Sequence, residues 1–162
     1  MIYINRRRTF TTGLVIAVAL GLYLPLQAEV KVILLASKIV KVDGTEHKES
    51  SDKAKPGDII EYVAEYKNTD KSPVKNVIAT LPVPAGMEYV PQTAVPNDVM
   101  ASTNGTTYAP VPLKKTVRNA SGQTVQELVP YSEYRSLRWS LGDIAGEMSK
   151  SVRARMKVKI QQ

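Results

Sequence analysis

The segment "SVRARMKVKI", residues 151–160, alternates without a break: Val152, Ala154, Met156, Val158 and Ile160 take turns with Arg153, Arg155, Lys157 and Lys159. A period of two sets one group on each face of a β-strand and does not fit a helix, whose apolar positions recur every three or four residues. The apolar group is expected in a core and the basic group outside it. The same period runs through "IIEYVAEYKN" (59–68), where Ile60, Tyr62, Ala64 and Tyr66 oppose Glu61, Glu65 and Lys67. It returns in "YRSLRWSLGDI" (134–144), with Leu137, Trp139 and Leu141 on one face. Trp139 is therefore expected in the core.

Turn signals separate these strands. "EVKVILLASKIVKV" (29–42) is rich in β-branched residues, and "VKNVIATLPVP" (74–84) is stopped by Pro82 and Pro84, which cannot donate to a ladder. "DGTEHKESSDKAKPGD" (43–58) is polar, closes on Pro56-Gly57 and reads as a loop. "AGMEYVP" (85–91) reads as a short strand or bend. Residues 92–133 read as a long irregular insertion marked by Pro96, Pro110, Pro112 and Pro130, with Asn104-Gly105 as a hairpin signal. No segment after residue 28 sustains a helical period. The expectation is an all-β chain, an immunoglobulin-like β-sandwich over residues 29–162.

Residues 1–28 have a different character. Arg6, Arg7 and Arg8 precede the uncharged run "TTGLVIAVALGLYLPL", and the segment leaves through Pro25 to the small residue Ala28. That order describes a secretory signal peptide, helical through its apolar middle and cut before Glu29. The rival is a retained anchor, but the apolar run falls short of the roughly 20 residues that span a bilayer. "RRRTF" also resembles a twin-arginine export motif; a general secretory signal has the same basic start and is the expected route. Three arginines and no acids leave with this segment, so a net charge of +7 falls to +4 and the mature chain is only mildly basic. The chain has no Cys, so neither disulfides nor a lipobox anchor contributes, and stability must come from burial. The expected location is the periplasm or the cell surface, with a mature form that does not span a membrane.

"KPGDIIEYVAEYKNTDKSPVKNVIATLPVPAGMEYVP" followed by "LRWSLGDIAGEMSKSVRARMKVK" resembles the bacterial conserved repeat domain, also called domain of unknown function 11. The shared features are a Pro-Gly turn, a Tyr-containing strand, an Asn-Thr turn, a valine-rich strand with a Leu-Pro ending, a Trp, a Leu-Gly turn and an alternating strand. Asp70 stands where the family prefers Gly, and Thr80 where Asp is common. The resemblance covers about residues 30–160 and implies an immunoglobulin-like fold in a single exported copy. It also implies that the strands around Glu61 and Arg155 lie side by side and antiparallel, so that Glu61 and Glu65 partly neutralise the basic row.

The residues signal no chemistry of their own. His47 is the one His and lies in a charged stretch, with no Cys and no Gly-x-Ser-x-Gly elbow to accompany it. Asp43, Glu46, Glu49 and Asp52 are interleaved with Lys48 and Lys53 and lack the spacing of a calcium loop, so they read as a solvated connector. Asn104-Gly105-Thr106 and Asn119-Ala120-Ser121 match a glycosylation triplet and read as turns. Tyr131, Tyr134, Arg135 and Arg138 form a candidate ligand surface, since Tyr and Arg together can hold a sugar ring or a peptide; local loop packing is the plainer reading. The basic row Arg153, Arg155, Lys157 and Lys159 lacks interleaved aromatics, which argues against nucleic acid; docking to an anionic surface is the rival of a merely solvated face. The expected function is that of an exported, non-catalytic module with an interaction or structural role in the bacterial envelope, needing no cofactor or metal. Its partner is expected to be an envelope or surface protein or a glycan. The alternative is a glycan- or peptidoglycan-binding domain that uses residues 92–138.

Overall fold

The computed structural model describes residues 29–160; the helix expected in the signal segment lies outside them. The strands are β1 (Val30–Val42), β2 (Thr45–Ser50), β3 (Ile59–Asn68), β4 (Val74–Pro82), β5 (Met87–Tyr89), β6 (Met100–Ser102), β7 (Ala109–Pro110), β8 (Lys114–Arg118), β9 (Thr124–Leu128), β10 (Ser136–Ile144) and β11 (Ser149–Val158). One sheet has the order β2-β1-β3-β11-β5, a second has β4-β10-β6-β7, and β8 and β9 form a separate hairpin. The alternating strands explain why the two larger sheets stack. Ala64, Tyr66, Val152, Ala154 and Met156 from the first meet Ala79, Leu81, Ala101, Leu137, Trp139 and Ile144 from the second in one buried cluster. The Val, Leu, Ile and Met side chains among them are each worth roughly 1.5–3 kcal/mol of apolar burial. Trp139 is buried as the alternation requires, and its indole N–H donates to the Pro96 carbonyl at 2.8 Å.

β3 and β11 are adjacent and antiparallel, with Arg155 directly opposite Glu61. Buried Asn68, at the end of β3, donates through Nδ2 to the Ser72, Ile144 and Ala145 carbonyls and accepts the Asp70 N–H through Oδ1. One amide thus ties the β3–β4 turn to the β10–β11 turn. The two turns approach so closely that a Cβ on Gly146 would collide with the Lys71 backbone.

Three expectations need correction. The segment 43–58 is not all loop: Asp43 and Gly44, at φ 51° and 79°, make a tight turn that folds β2 back on Ser37–Val42. β2 escapes the alternation rule because all its residues are exposed. The apolar face of β11 enters the core only as far as Met156; Val158 is half-buried and Ile160, past the end of the strand, is exposed. The insertion holds β6 to β9 and a 3-10 turn, Tyr131–Glu133. Its tight hairpin turn lies at Asn119–Gly122, where Asn119 Oδ1 accepts the Ser121 and Gln123 N–H groups. Asn104-Gly105 instead sits in the wider β6–β7 loop, with Asn104 Oδ1 accepting from Thr106 and Thr107.

Candidate functional site

The edges formed by β5 and β7 lie beside a cleft. One lobe, of about 470 Å³, is lined by Tyr89, Pro91, Asn97, Val111, Pro112 and Tyr131 among others. A second lobe, of about 440 Å³, shares Tyr89, Pro91 and Tyr131 and adds Glu88, Pro130 and Lys157. Volumes of that size suit a sugar ring or a short run of peptide. Pro91 contributes to both lobes, Pro112 to the first and Pro130 to the second. Tyr131 is held between two buried tyrosines: its ring meets Tyr89 edge-on at 5.8 Å and Tyr134 edge-on at 5.3 Å. Tyr131 itself stays half-exposed, an apolar ring with a polar tip at the mouth of the cleft.

The candidate group Tyr131, Tyr134, Arg135 and Arg138 does not form one surface. Tyr134 is wholly buried, stacks on Tyr89 at 6.0 Å and accepts the Leu113 N–H through its hydroxyl at 2.7 Å. Burial pushes the phenols of Tyr89 and Tyr134 up from their ordinary value, so both remain neutral structural groups. Arg135 is exposed. Arg138 alternates away from the core and lies flat on the Tyr108 ring, Cζ 3.4 Å from its centroid, a cation–π contact that leaves its buried Nε without a hydrogen-bond partner. Only Tyr131 of the four borders the cleft.

The basic row divides by neighbour. Arg155 donates from Nε to Glu61 at 3.2 Å and sets its fork on Glu46, at 3.0 and 2.7 Å. Lys48 reaches the other Glu61 oxygen at 2.6 Å, off the hydrogen-bond direction, so that this oxygen has an ionic contact but no hydrogen bond. Glu61 is only 3% exposed, although its place in the alternation predicts the wet face. The chain after β5 continues along the outer edge of β11, where Val95 and Arg153 exchange backbone hydrogen bonds, and Gln92, Thr93 and Val95 line a pocket together with Glu61 and Arg155. Burial raises the Glu61 pKa, but the Lys48 and Arg155 cations outweigh burial and hold it below the usual carboxylate value. Glu65 lies opposite Ser151 and makes no ion pair among the described residues, so it has no share in neutralising the row. Arg153 is exposed, Lys157 lines the cleft opposite Glu88, and Lys159 donates to the Ser132 carbonyl at 3.1 Å, pinning the 3-10 turn beside Tyr131.

The acidic stretch is dispersed. Glu46 goes to Arg155, Glu49 to Lys38 at 3.1 Å, Asp52 to the Ser50 hydroxyl, and Asp43 occupies a turn. His47 is exposed on β2, opposite Val40. Prolines that read in the sequence only as loop markers line the cleft. Val90-Pro91, Val111-Pro112 and Pro130 line its lobes, and Val129 before Pro130 is core. The repeated Val-Pro dipeptide was the available signal. No protein-family model, curated protein or solved structure matches the chain. The class that the geometry defines is an all-β protein of two stacked sheets with an elaborated loop region around a Tyr- and Pro-walled cleft. No helix among the described residues is long and apolar enough to cross a membrane.

Proposed function

We propose that this chain is an exported, non-catalytic immunoglobulin-like module that works by contact in the bacterial envelope or at the cell surface. The observation that carries the reading is the cleft beside Tyr131, whose walls are proline, valine and aromatic side chains with Lys157 and Glu88 at one end. Such a surface can hold an extended segment by shape, with Gln92 and Asn97 in one lobe to meet its polar groups. The signal-like order of residues 1–28 and the resemblance to the conserved repeat domain supply the location. Retention of an envelope protein by the purified chain, lost on Tyr131→Ala without loss of fold, supports the reading. Equal retention by both proteins moves the contact elsewhere. A mature N-terminus at Glu29 supports export, and an intact Met1 in the envelope fraction replaces cleavage with an anchor.

A second reading, glycan or peptidoglycan binding, is favoured by one observation. Tyr131 presents a half-exposed ring fixed by two others, the arrangement on which the apolar face of a sugar can stack. Retention on isolated peptidoglycan that depends on Tyr131 would select it over the protein partner.

A further inference from the structure

Between the half-buried Val30 and Ser37, β1 is covered on neither face. Val32, Ile33, Leu34 and Leu35 are 52, 37, 52 and 58% exposed in one unbroken run. Val32 and Leu34 share the core-side face of their sheet with Ala64 and Tyr66, but β1 lies beyond the cover of the second sheet. Runs apolar on both faces belong to strands buried on both. The edge is open as well. β2 pairs only with Ser37–Val42, and no described strand adds to Val30–Ala36 on that side. The Glu29 carbonyl faces β3, accepting the Thr69 N–H, whereas the Ala36 carbonyl faces the other way and accepts the Ser51 hydroxyl at 3.3 Å. By strand alternation the N–H and C=O groups of Val32 and Leu34 therefore point out of the open edge.

The other edges carry the usual protections against strand addition. β2 has Glu46, His47, Lys48 and Glu49; β4 has Lys75, a positive φ at Asn76 and a terminal Pro82; β5 and β7 are very short. The Val30–Leu35 edge has one charge, Lys31.

We propose that Lys31–Leu35 pairs antiparallel with the same segment of a second copy of this chain, about a two-fold axis at Ile33. In that register Val32 exchanges hydrogen bonds with Leu34 of the second copy, and the reverse, so the open donors and acceptors satisfy one another. Lys31 meets Leu35 of the second copy and never its own equivalent, so no like charges oppose. The apolar side chains on both faces gain apolar neighbours. The Ser51 contact at Ala36 sets the limit of the pairing.

The two Ile33 residues would form a non-hydrogen-bonded pair, with Cα atoms about 4.5 Å apart, within the span a disulfide can bridge. Because the chain has no Cys, Ile33→Cys reports on this contact alone. The test uses the full chain, expressed with its N-terminal segment and purified from the cells. Mild oxidation of Ile33→Cys should give a disulfide-linked dimer in most of the protein, whereas Lys31→Cys, offset from itself, should give several-fold less. The unmodified chain should sediment as a dimer at micromolar concentration, and Leu34→Lys as a monomer with an unchanged circular dichroism spectrum. Equal crosslinking of the two Cys variants overturns the proposal. So does an unmodified chain that stays monomeric, whether its edge is open, covered by its own residues 1–28, or filled by another protein.

Discussion

Replacing Arg153, Arg155 and Lys157 by Gln, one at a time, separates a structural ladder from a solvated row. The three side chains alternate on the same face of the same strand, so chemistry and position along the sequence do not distinguish them. Their partners do. Arg155→Gln removes one of the two cations that hold Glu61, which is 3% exposed, and leaves it with Lys48 alone. Stripping a buried charge of its partner altogether costs about 3–5 kcal/mol. With Lys48 still in place the loss is nearer that of one charge-assisted hydrogen bond, about 2 kcal/mol. Arg153 is exposed and makes no ion pair among the described residues, so Arg153→Gln should stay within about 0.5 kcal/mol. Urea unfolding followed by the fluorescence of the single Trp measures both. With a slope of about 2 kcal/mol/M, Arg155→Gln should lower the midpoint by about 1 M and Arg153→Gln by less than about 0.25 M. In a Glu61→Gln background, Arg155→Gln should lose most of its effect, because the buried charge it serves is gone. Equal shifts at Arg153 and Arg155, or an undiminished Arg155 effect without Glu61, would refute the assignment.

Trp139→Ala, followed by circular dichroism, should cost about 3–5 kcal/mol, the range for truncating a buried aromatic. A loss below about 1 kcal/mol would place the indole outside the core. The Glu61 carboxyl is held below its ordinary value of 4.5 in the folded chain, so its contribution to stability is complete above that value and is lost as pH falls through the lower folded one. Glu61→Gln should therefore flatten the fall in urea midpoint as pH is lowered below 4.5; parallel profiles for the two proteins would assign that acid sensitivity to other groups.

The parts of the fold legible in the sequence are those where one face is buried, because burial is what imposes a period of two. β3, β10 and β11 show that period and supply about half of the core. β2 has no buried face and so no period; only the Asp43-Gly44 turn betrays it. Register is a harder matter. Glu61 and Glu65 occupy equivalent places in one strand, yet the pairing of β3 with β11 brings Arg155 to the first and Ser151 to the second. The site obeyed the same division. Tyr131 and Tyr134 stand three residues apart in the sequence, but a 3-10 turn sends one to the cleft and the other to the core, a difference set by backbone geometry and not by residue type. β1 is the instructive case. "VKVILLA" has no alternation because nothing makes its two faces different: both are apolar, and in the isolated chain both are wet. A strand patterned for burial and found without it implies a missing neighbour. The other sheet edges carry charge, proline or brevity, and the one protected by a single lysine, Lys31, is the one with apolar side chains to hide.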